Sequence, residues 1–320
     1  MKHQNILVVG GAGFVGRHLL AALAARGVRV TVPTRRRERA KHLILLPTVD
    51  VVEVERLDAR TLAQLAAGRD AVVNLAGILH APDFKAVHVE LAQSVVNACH
   101  QARVKRLLHM SALGADAGGP SEYLRSKGIG ERAVLAADDL AVTVFRPSII
   151  YGPEDRFLNL FARLAAWLPL FVLGSPGARF QPVYVGDVVR AFLAALESDA
   201  HLSGTAGKSY DLCGPREYTL RQLIELVCAI TGRRRLVIGL PDGLSYLQAW
   251  SMELLPVKLL TRDNYYSMQV PSVSASAFPF GIQPVLLEAT VPSWLAPAGP
   301  RERSAGLRER FAQLRLKAKR

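Results

Sequence analysis

Residues 5–17, NILVVGGAGFVGR, decide the fold. Ile6 to Val9 is a β-branched, apolar run with the character of a buried strand. It breaks into Gly10, Gly11, Gly13 and Gly16, and from Phe14 to Ala25 the pattern becomes helical. A strand that passes at once into a helix through glycines forms a phosphate cradle, because the first helical amides are unpaired and point at a bound anion. The GxxGxxG spacing assigns Gly10 to the tight turn, Gly13 to close approach of a pyrophosphate and Gly16 to packing of helix on strand. A purely structural glycine turn is the competing reading, so the rest of the chain must decide.

Working outward, Val28–Val32 is a second strand about 20 residues beyond the glycines. An NAD site usually carries a carboxylate at that strand's end, holding the ribose hydroxyls. Here Pro33 and Thr34 stand there, followed by Arg35 and Arg36. A 2′-phosphate meets no repelling acid and finds guanidinium forks suited to bidentate binding, with Arg17 facing it from the helix start. The pattern therefore predicts NADP(H) in preference to NAD(H), against the plainer alternative of a solvated basic loop.

Strands at 49–54, 70–74, 104–110 and 141–145 alternate with helical stretches at 84–102 and 124–137. This predicts an α/β Rossmann fold, a doubly wound parallel sheet with helices on both faces. Residues 1–155 read as the nucleotide-binding domain, to which 181–215 return. Residues 156–180 and 216–300 read as a smaller, C-terminal substrate lobe, and 301–320 as a basic amphipathic tail.

Candidate chemistry follows the fifth strand. Ser111 sits at the strand's carboxyl end, where ligands bind in such sheets, and Tyr123-Leu-Arg-Ser-Lys127 comes twelve residues later. Four apart on a helix, Tyr123 and Lys127 share a face. For the phenol to act as a base near neutral pH its pKa must fall by about 3 units, roughly 4 kcal/mol, and a neighbouring ammonium is a suitable source. An exposed Tyr and Lys on a helix is the competing reading for the pair alone.

Composition sets the outer bounds. Half of the 320 residues are hydrophobic, enough for a large core. Nothing near Met1 reads as a signal peptide, since the first strand begins at Asn5, and the apolar stretch 157–174 is too interrupted to span a membrane. Cys99, Cys213 and Cys228 are widely spaced, which indicates no metal site, no disulfide framework and a reducing, cytoplasmic compartment. The net charge is +13. Residues 301–320 hold eight Lys or Arg against two Glu, with Leu307, Phe311, Leu314 and Ala318 at helical spacing. No nucleic-acid motif accompanies the charge. The tail can attach peripherally to the inner face of an anionic membrane, or lie on its own domain.

Taken together, GGAGFVG at 10–16, Asp58, NLAG at 74–77, Ser111, YLRSK at 123–127, FRPSIIYGP at 145–153 and PVYVGDVVRA at 182–191 resemble a short-chain dehydrogenase/reductase of the extended or atypical, epimerase/dehydratase-like kind. HMSALGAD at 109–116, SEYLRSKGIGE at 121–131 and LTRDN at 260–264 resemble the narrower group around alpha-subcomplex subunit nine of respiratory complex I. The resemblance implies that Gly10, Gly13 and Gly16, with Phe14, Val15 and Arg17, hold the pyrophosphate. It assigns Asp58 to the adenine amino group and Leu75-Ala76-Gly77 to the nicotinamide-side ribose. It further implies that Tyr123 is the acid/base, that Lys127 binds the ribose and lowers the Tyr123 pKa, and that Ser111 orients a substrate oxygen. Arg146 and Pro147 fall where the family positions the nicotinamide amide and opens the substrate lobe, and Asp187 falls at a helix-capping position.

Two departures matter. The Ser111–Tyr123 gap is shorter than in the sugar-modifying relatives, and His88 stands where they carry an asparagine, reading as an ordinary helix-face histidine. The apolar segments 157–168 and 240–260, with Trp167, Tyr246, Trp250 and Met252, favour an apolar, lipid- or quinone-like small-molecule ligand if they line a pocket, and core if they do not. The first expectation is an NADP(H)-dependent oxidoreductase acting on a carbonyl or alcohol. The second is a low-turnover NADPH-holding accessory protein beside a respiratory partner, and the third a nucleotide-sugar epimerase or dehydratase.

Overall fold

A computed structural model describes residues 3–79, 83–198, 204–255 and 259–296. The tail at 301–320 lies outside the described residues. The first half alternates as expected: β1 (Asn5–Val9), α1 (Phe14–Ala24), β2 (Arg29–Thr34), β3 (Val49–Glu53), α2 (Ala59–Ala66), β4 (Ala71–Asn74), α3 (Leu91–Ala102), β5 (Arg106–Met110), α4 (Glu122–Leu135) and β6 (Ala141–Pro147). Next come β7 (Ile150–Tyr151), α5 (Leu158–Trp167), β8 (Leu170–Leu173), β9 (Arg179–Phe180), β10 (Val183–Tyr184), α6 (Val185–Glu197) and β11 (Lys208–Leu212). The remainder comprises β12 (Tyr218–Thr219), α7 (Leu220–Ile230), β13 (Leu236–Gly239), α8 (Asp242–Glu253), α9 (Arg262–Met268), α10 (Leu287–Thr290) and α11 (Pro292–Leu295).

Seven strands form one parallel sheet in the order β11-β6-β5-β4-β1-β2-β3. Its strands are apolar on both faces because both faces are covered. Ile6 and Val8 pack under α1 and α6, while Leu7 and Val9 pack under α2, α3 and α4. The strand order reverses between β1 and β4, which leaves a crevice at their carboxyl ends, where open α/β sheets bind ligands.

A third core belongs to the lobe, around Tyr151, Phe171, Phe180 and the inner face of α7. The lobe is not confined to its expected boundaries. Phe278 and Phe280, from the 216–300 stretch, return to the main sheet's core, where Phe280 packs edge-on to Phe145. Asp187 joins in holding this return. It lies buried in the first turn of α6, paired with Arg190, and accepts a hydrogen bond from Val285 N (2.7 Å). It is thus a tether between segments and not the helix cap its position suggested.

Candidate active site

The cradle forms as its glycines predict. Gly10 adopts φ 81°, and a Cβ there would meet Ala76 N at 2.8 Å, so β1 and the end of β4 touch through this glycine. A Cβ on Gly16 would strike the Gly11 carbonyl, which explains how α1 sits so close to the turn. Gly13 is the N-cap of α1, a Cβ on it would meet only Gly10 O, at 3.2 Å, and no side chain among the described residues caps the helix. The first amides of an 11-residue helix are therefore left without a side-chain cap, the arrangement that receives a pyrophosphate. Phe14 packs against Gly152, and Val15 is buried in the core. Arg17 has a buried Nε without a hydrogen-bond partner among the described residues, and its charge lowers the pKa of His42 after burial has done so. Arg17 thus lies beside the 35–42 segment.

That segment starts one residue beyond β2, which runs on to Thr34. The Thr34 hydroxyl donates to Arg36 O (3.2 Å) and accepts from Arg36 N (3.3 Å), shaping the turn, and Arg35 and Arg36 are exposed. Asp58 is the N-cap of α2, accepting from Thr61 N at 2.8 Å, a bond that holds its carboxyl below the usual range.

The NLAG turn is held from inside. Asn74 Oδ1 accepts from Ala76 N (3.1 Å) and its amide donates to His109 Nδ1 (3.2 Å). Leu75 is buried beneath the turn and Gly77 is exposed above it. A Cβ on Gly77 would meet Lys127 Nζ at 3.2 Å. Lys127 itself is buried and donates to Met110 O at 3.1 Å, bridging the ends of β4 and β5. Burial pulls its pKa down to about 8, with Glu131 acting against the fall. Ser111 is buried at the end of β5, and its hydroxyl has no hydrogen-bond partner among the described residues. A buried polar group without a partner is costly, and here it stands at the edge where a substrate oxygen is expected.

Tyr123 lies in the first turn of α4, edge-on to Phe84 and His88. Burial pushes its phenol up to about 12. Desolvation of the phenolate is the cause, so in the protein alone the phenol stays protonated at neutral pH.

His88 is also different from its sequence reading. The 84–102 helix is broken by a π turn at Ala86–Glu90, and His88 on that turn is buried within the site. Its Nε2 accepts from Ile78 N (3.1 Å), so the proton resides on Nδ1, which donates to Ser126 Oγ (2.9 Å); Ser126 donates on to Tyr123 O (2.9 Å). Burial drives the His88 pKa down to about 3, so this is a neutral strut joining the NLAG turn to α4. Gly130 permits the contact, since any Cβ there would strike His88 O.

Arg146 is half-buried. On β6 it forms an ion pair with the buried carboxylate of Glu131 on α4, donating through both Nε (2.8 Å) and a terminal nitrogen. This pairing holds its guanidinium against α4. Pro147 contributes its carbonyl to Leu113 N (2.9 Å), fixing the loop after Ser111.

Sequence reasoning missed Asp263. From α9, its carboxylate accepts from Glu122 N (2.6 Å) and Tyr123 N (3.3 Å), while Ser121 caps Leu124 N (3.1 Å) and receives a bond from Ser267 Oγ (2.8 Å). The LTRDN stretch was the available signal, though nothing in it indicated which helix it would cap.

A glycine cradle, a strand-end serine and a Tyr/Lys helix meeting at the β1/β4 crevice define a nucleotide-binding protein of the Rossmann class. The chain belongs to the NAD dependent epimerase/dehydratase family, whose model matches residues 6–213. It is similar to mitochondrial NADH dehydrogenase [ubiquinone] 1 alpha subcomplex subunit 9. With the Arabidopsis thaliana protein it shares 35% identity over 231 residues, 69% of this chain and 56% of the relative, so it spans little more than half of that relative's length. With the mouse protein it shares 31% over 305 residues, 88% of this chain and 77% of the relative. It is also similar to a ceramide reductase of Caulobacter vibrioides, 31% identical over 264 residues, 77% of this chain and 78% of the relative. In fold it resembles UDP-glucuronic acid 4-epimerase from Bacillus cereus, solved with UDP-glucuronic acid and NAD, at a TM-score of 0.63 and 21% identity over 74% of this chain and 86% of that one.

Proposed function

We propose that the protein is an NADP(H)-dependent reductase of an apolar carbonyl compound. The observation that carries this reading is the buried Lys127 ammonium, one turn from Tyr123, which spans Gly77 and the carbonyl of Met110, the chain neighbour of Ser111, whose hydroxyl has no partner among the described residues. The open cradle at Gly13 and the unpartnered Nε of Arg17 fit a dinucleotide. Gly10, Gly13 and Gly16 would receive its pyrophosphate, Asp58 its adenine, and Leu75–Gly77 with Lys127 the ribose next to the nicotinamide. Arg35, Arg36 and Arg17 would hold a 2′-phosphate. When bound, the nicotinamide supplies the hydride.

The chain's own groups do the rest. Ser111 donates a hydrogen bond to the carbonyl oxygen and polarises it. As that oxygen gains the electron pair of the C=O bond, Tyr123 transfers its phenolic proton to it. A phenol held near 12 stays protonated at neutral pH and is more acidic than the product alcohol, so it can give its proton to the forming alkoxide, and the arrangement supports the reductive direction. An apolar substrate is supported by the exposed Leu79 beside the NLAG turn and by the reductase similarity. Three buried free cysteines support a reducing compartment. The plant and mouse relatives are named mitochondrial, so a cytoplasmic setting is our proposal for this chain alone.

A second reading, a low-turnover NADPH-holding partner of a respiratory assembly, is favoured by similarity to the complex I subunits along 88% of the chain. Nucleotide fluorescence and a screen of long-chain ketones and quinones separate the two. The reductase reading expects NADPH to be bound and oxidised, with turnover abolished by Tyr123→Phe and NADPH affinity reduced about tenfold by Arg35→Ser/Arg36→Ser. Tight NADPH that no carbonyl or quinone oxidises would establish the second reading. A preference for NADH would refute the phosphate assignment.

A further inference from the structure

Strands β8 and β13 form a two-stranded parallel pair, with Leu170 opposite Leu236 and Val172 opposite Ile238. Phe171, Leu173 and Val237 point into the lobe's core. The alternate side chains, Leu170, Val172, Leu236 and Ile238, are 36%, 47%, 64% and 43% exposed. A sheet with one face in water normally alternates apolar and polar residues; this one is apolar on both faces. Helix α8 extends the surface. Gln248 Nε2 donates to Val172 O (2.8 Å), and Ser245 Oγ accepts from Ser175 N (3.0 Å), which fixes the helix beside β8. Its exposed residues Leu244, Leu247, Trp250 and Leu254 occupy one stripe at helical spacing.

At the neighbouring end of α5, Trp167 is 88% exposed. Arg235 Nε donates to Ala165 O (2.9 Å) and ties this end to the start of β13. The rim is basic. Arg163, one helical turn before Trp167, and Arg234, two residues before Leu236, are both exposed. The two carboxylates on α8 are engaged, Asp242 by the Tyr265 hydroxyl (2.8 Å) and Glu253 by Arg262 (2.7 Å).

We propose that this face of the lobe docks on an anionic lipid bilayer, with its aliphatic side chains and two tryptophans in the interfacial layer and its arginines at the headgroups. An exposed apolar face of this kind marks an interaction site. Its basic rim selects among occupants. A second copy would set Arg163 and Arg234 against arginines, and the chain's own 301–320 segment carries eight Lys or Arg of like sign. An anionic membrane offers both an apolar layer and opposite charge, the combination that holds interfacial proteins.

The test uses the full chain and vesicles of phosphatidylcholine with phosphatidylglycerol, compared with phosphatidylcholine alone. Two of the protein's three tryptophans, Trp167 and Trp250, are exposed on the lobe, at 88% and 45%. Their emission shifts to the blue on anionic vesicles and is quenched by brominated acyl chains. The triple variant Val172→Glu/Ile238→Glu/Leu247→Glu, altered only at exposed positions, loses flotation. Arg234→Glu binds about tenfold more weakly. Truncation after Pro300 weakens flotation without abolishing it. The proposal is overturned if wild-type tryptophan emission is unchanged by anionic vesicles, which requires no variant to fold. It is equally overturned if the triple variant floats like wild type, or if the truncation alone abolishes binding. A wild-type dimer that the triple variant breaks, without vesicle binding, would assign the face to a second copy.

Discussion

The bond between Asp263 and the start of α4 offers the sharpest test of how the lobe supports the site. Helix α4 begins at Glu122, so the amides of Glu122, Tyr123 and Leu124 have no partner within the helix, while Arg125 N reaches Ser121 O (3.0 Å). All three are satisfied from elsewhere, two by Asp263 and one by Ser121. Asp263→Ala leaves two donors to water and removes a negative charge from a helix N-terminus. A lost cap costs about 1 kcal/mol and the helix-dipole contribution at a partly exposed site is roughly 0.3–1 kcal/mol, so we expect a loss of about 1.5 kcal/mol. Asp263→Asn keeps one acceptor, for Glu122 N, and loses the charge and the longer bond to Tyr123 N, which should cost about 1 kcal/mol and less at high salt. Urea titration measures both, and amide exchange at Glu122 and Tyr123 should accelerate about tenfold in the alanine variant. Because Tyr123 is in the frayed turn and Lys127 in the next, the reduction rate should fall more than NADPH affinity. The reasoning fails if alanine is no worse than asparagine, or if exchange at those two amides is unchanged.

Two further expectations concern the site's interior. Ser111→Ala removes a buried hydroxyl that has no partner among the described residues, so the melting temperature should hold or rise slightly, while carbonyl reduction falls by about 100-fold or more; a marked loss of stability would show that the hydroxyl has a structural partner. His88 and His109 are both pushed down to about 3 by burial, below the 6.5 of the unfolded chain. Between these values the unfolded state binds protons that the folded state refuses. Stability is therefore complete above pH 6.5 and declines as pH falls, by about 1.4 kcal/mol per pH unit for each histidine. Urea titrations at pH 7 and 5.5 should show a smaller decline for His88→Asn than for wild type, and an equal decline would contradict the assignment.

Legibility followed sequence distance. The cradle is read from four glycines within seven residues, and the structure forms it there, because strand, turn and helix are adjacent in the chain. Tyr123 and Lys127 could be paired because both ride one helix. His88, thirty-five residues before Tyr123, was read only as a helix face, since periodicity does not reveal a π turn that rotates one side chain inward. Arg146 was placed by its neighbours in the chain, whereas its side chain is held by Glu131 from another element.

The sequence by itself determined the alternation of strand and helix, the anion-binding turn and the order in which chemical groups reach the sheet's carboxyl edge, because each depends on residues within one or two turns of one another. Only the tertiary structure decided the rest: that burial raises the Tyr123 phenol, that Asp263 closes the amino end of its helix from 140 residues away, and that the lobe's apolar strands face outward. Those outcomes depend on desolvation and on contacts between distant segments, and neither leaves a period in the chain.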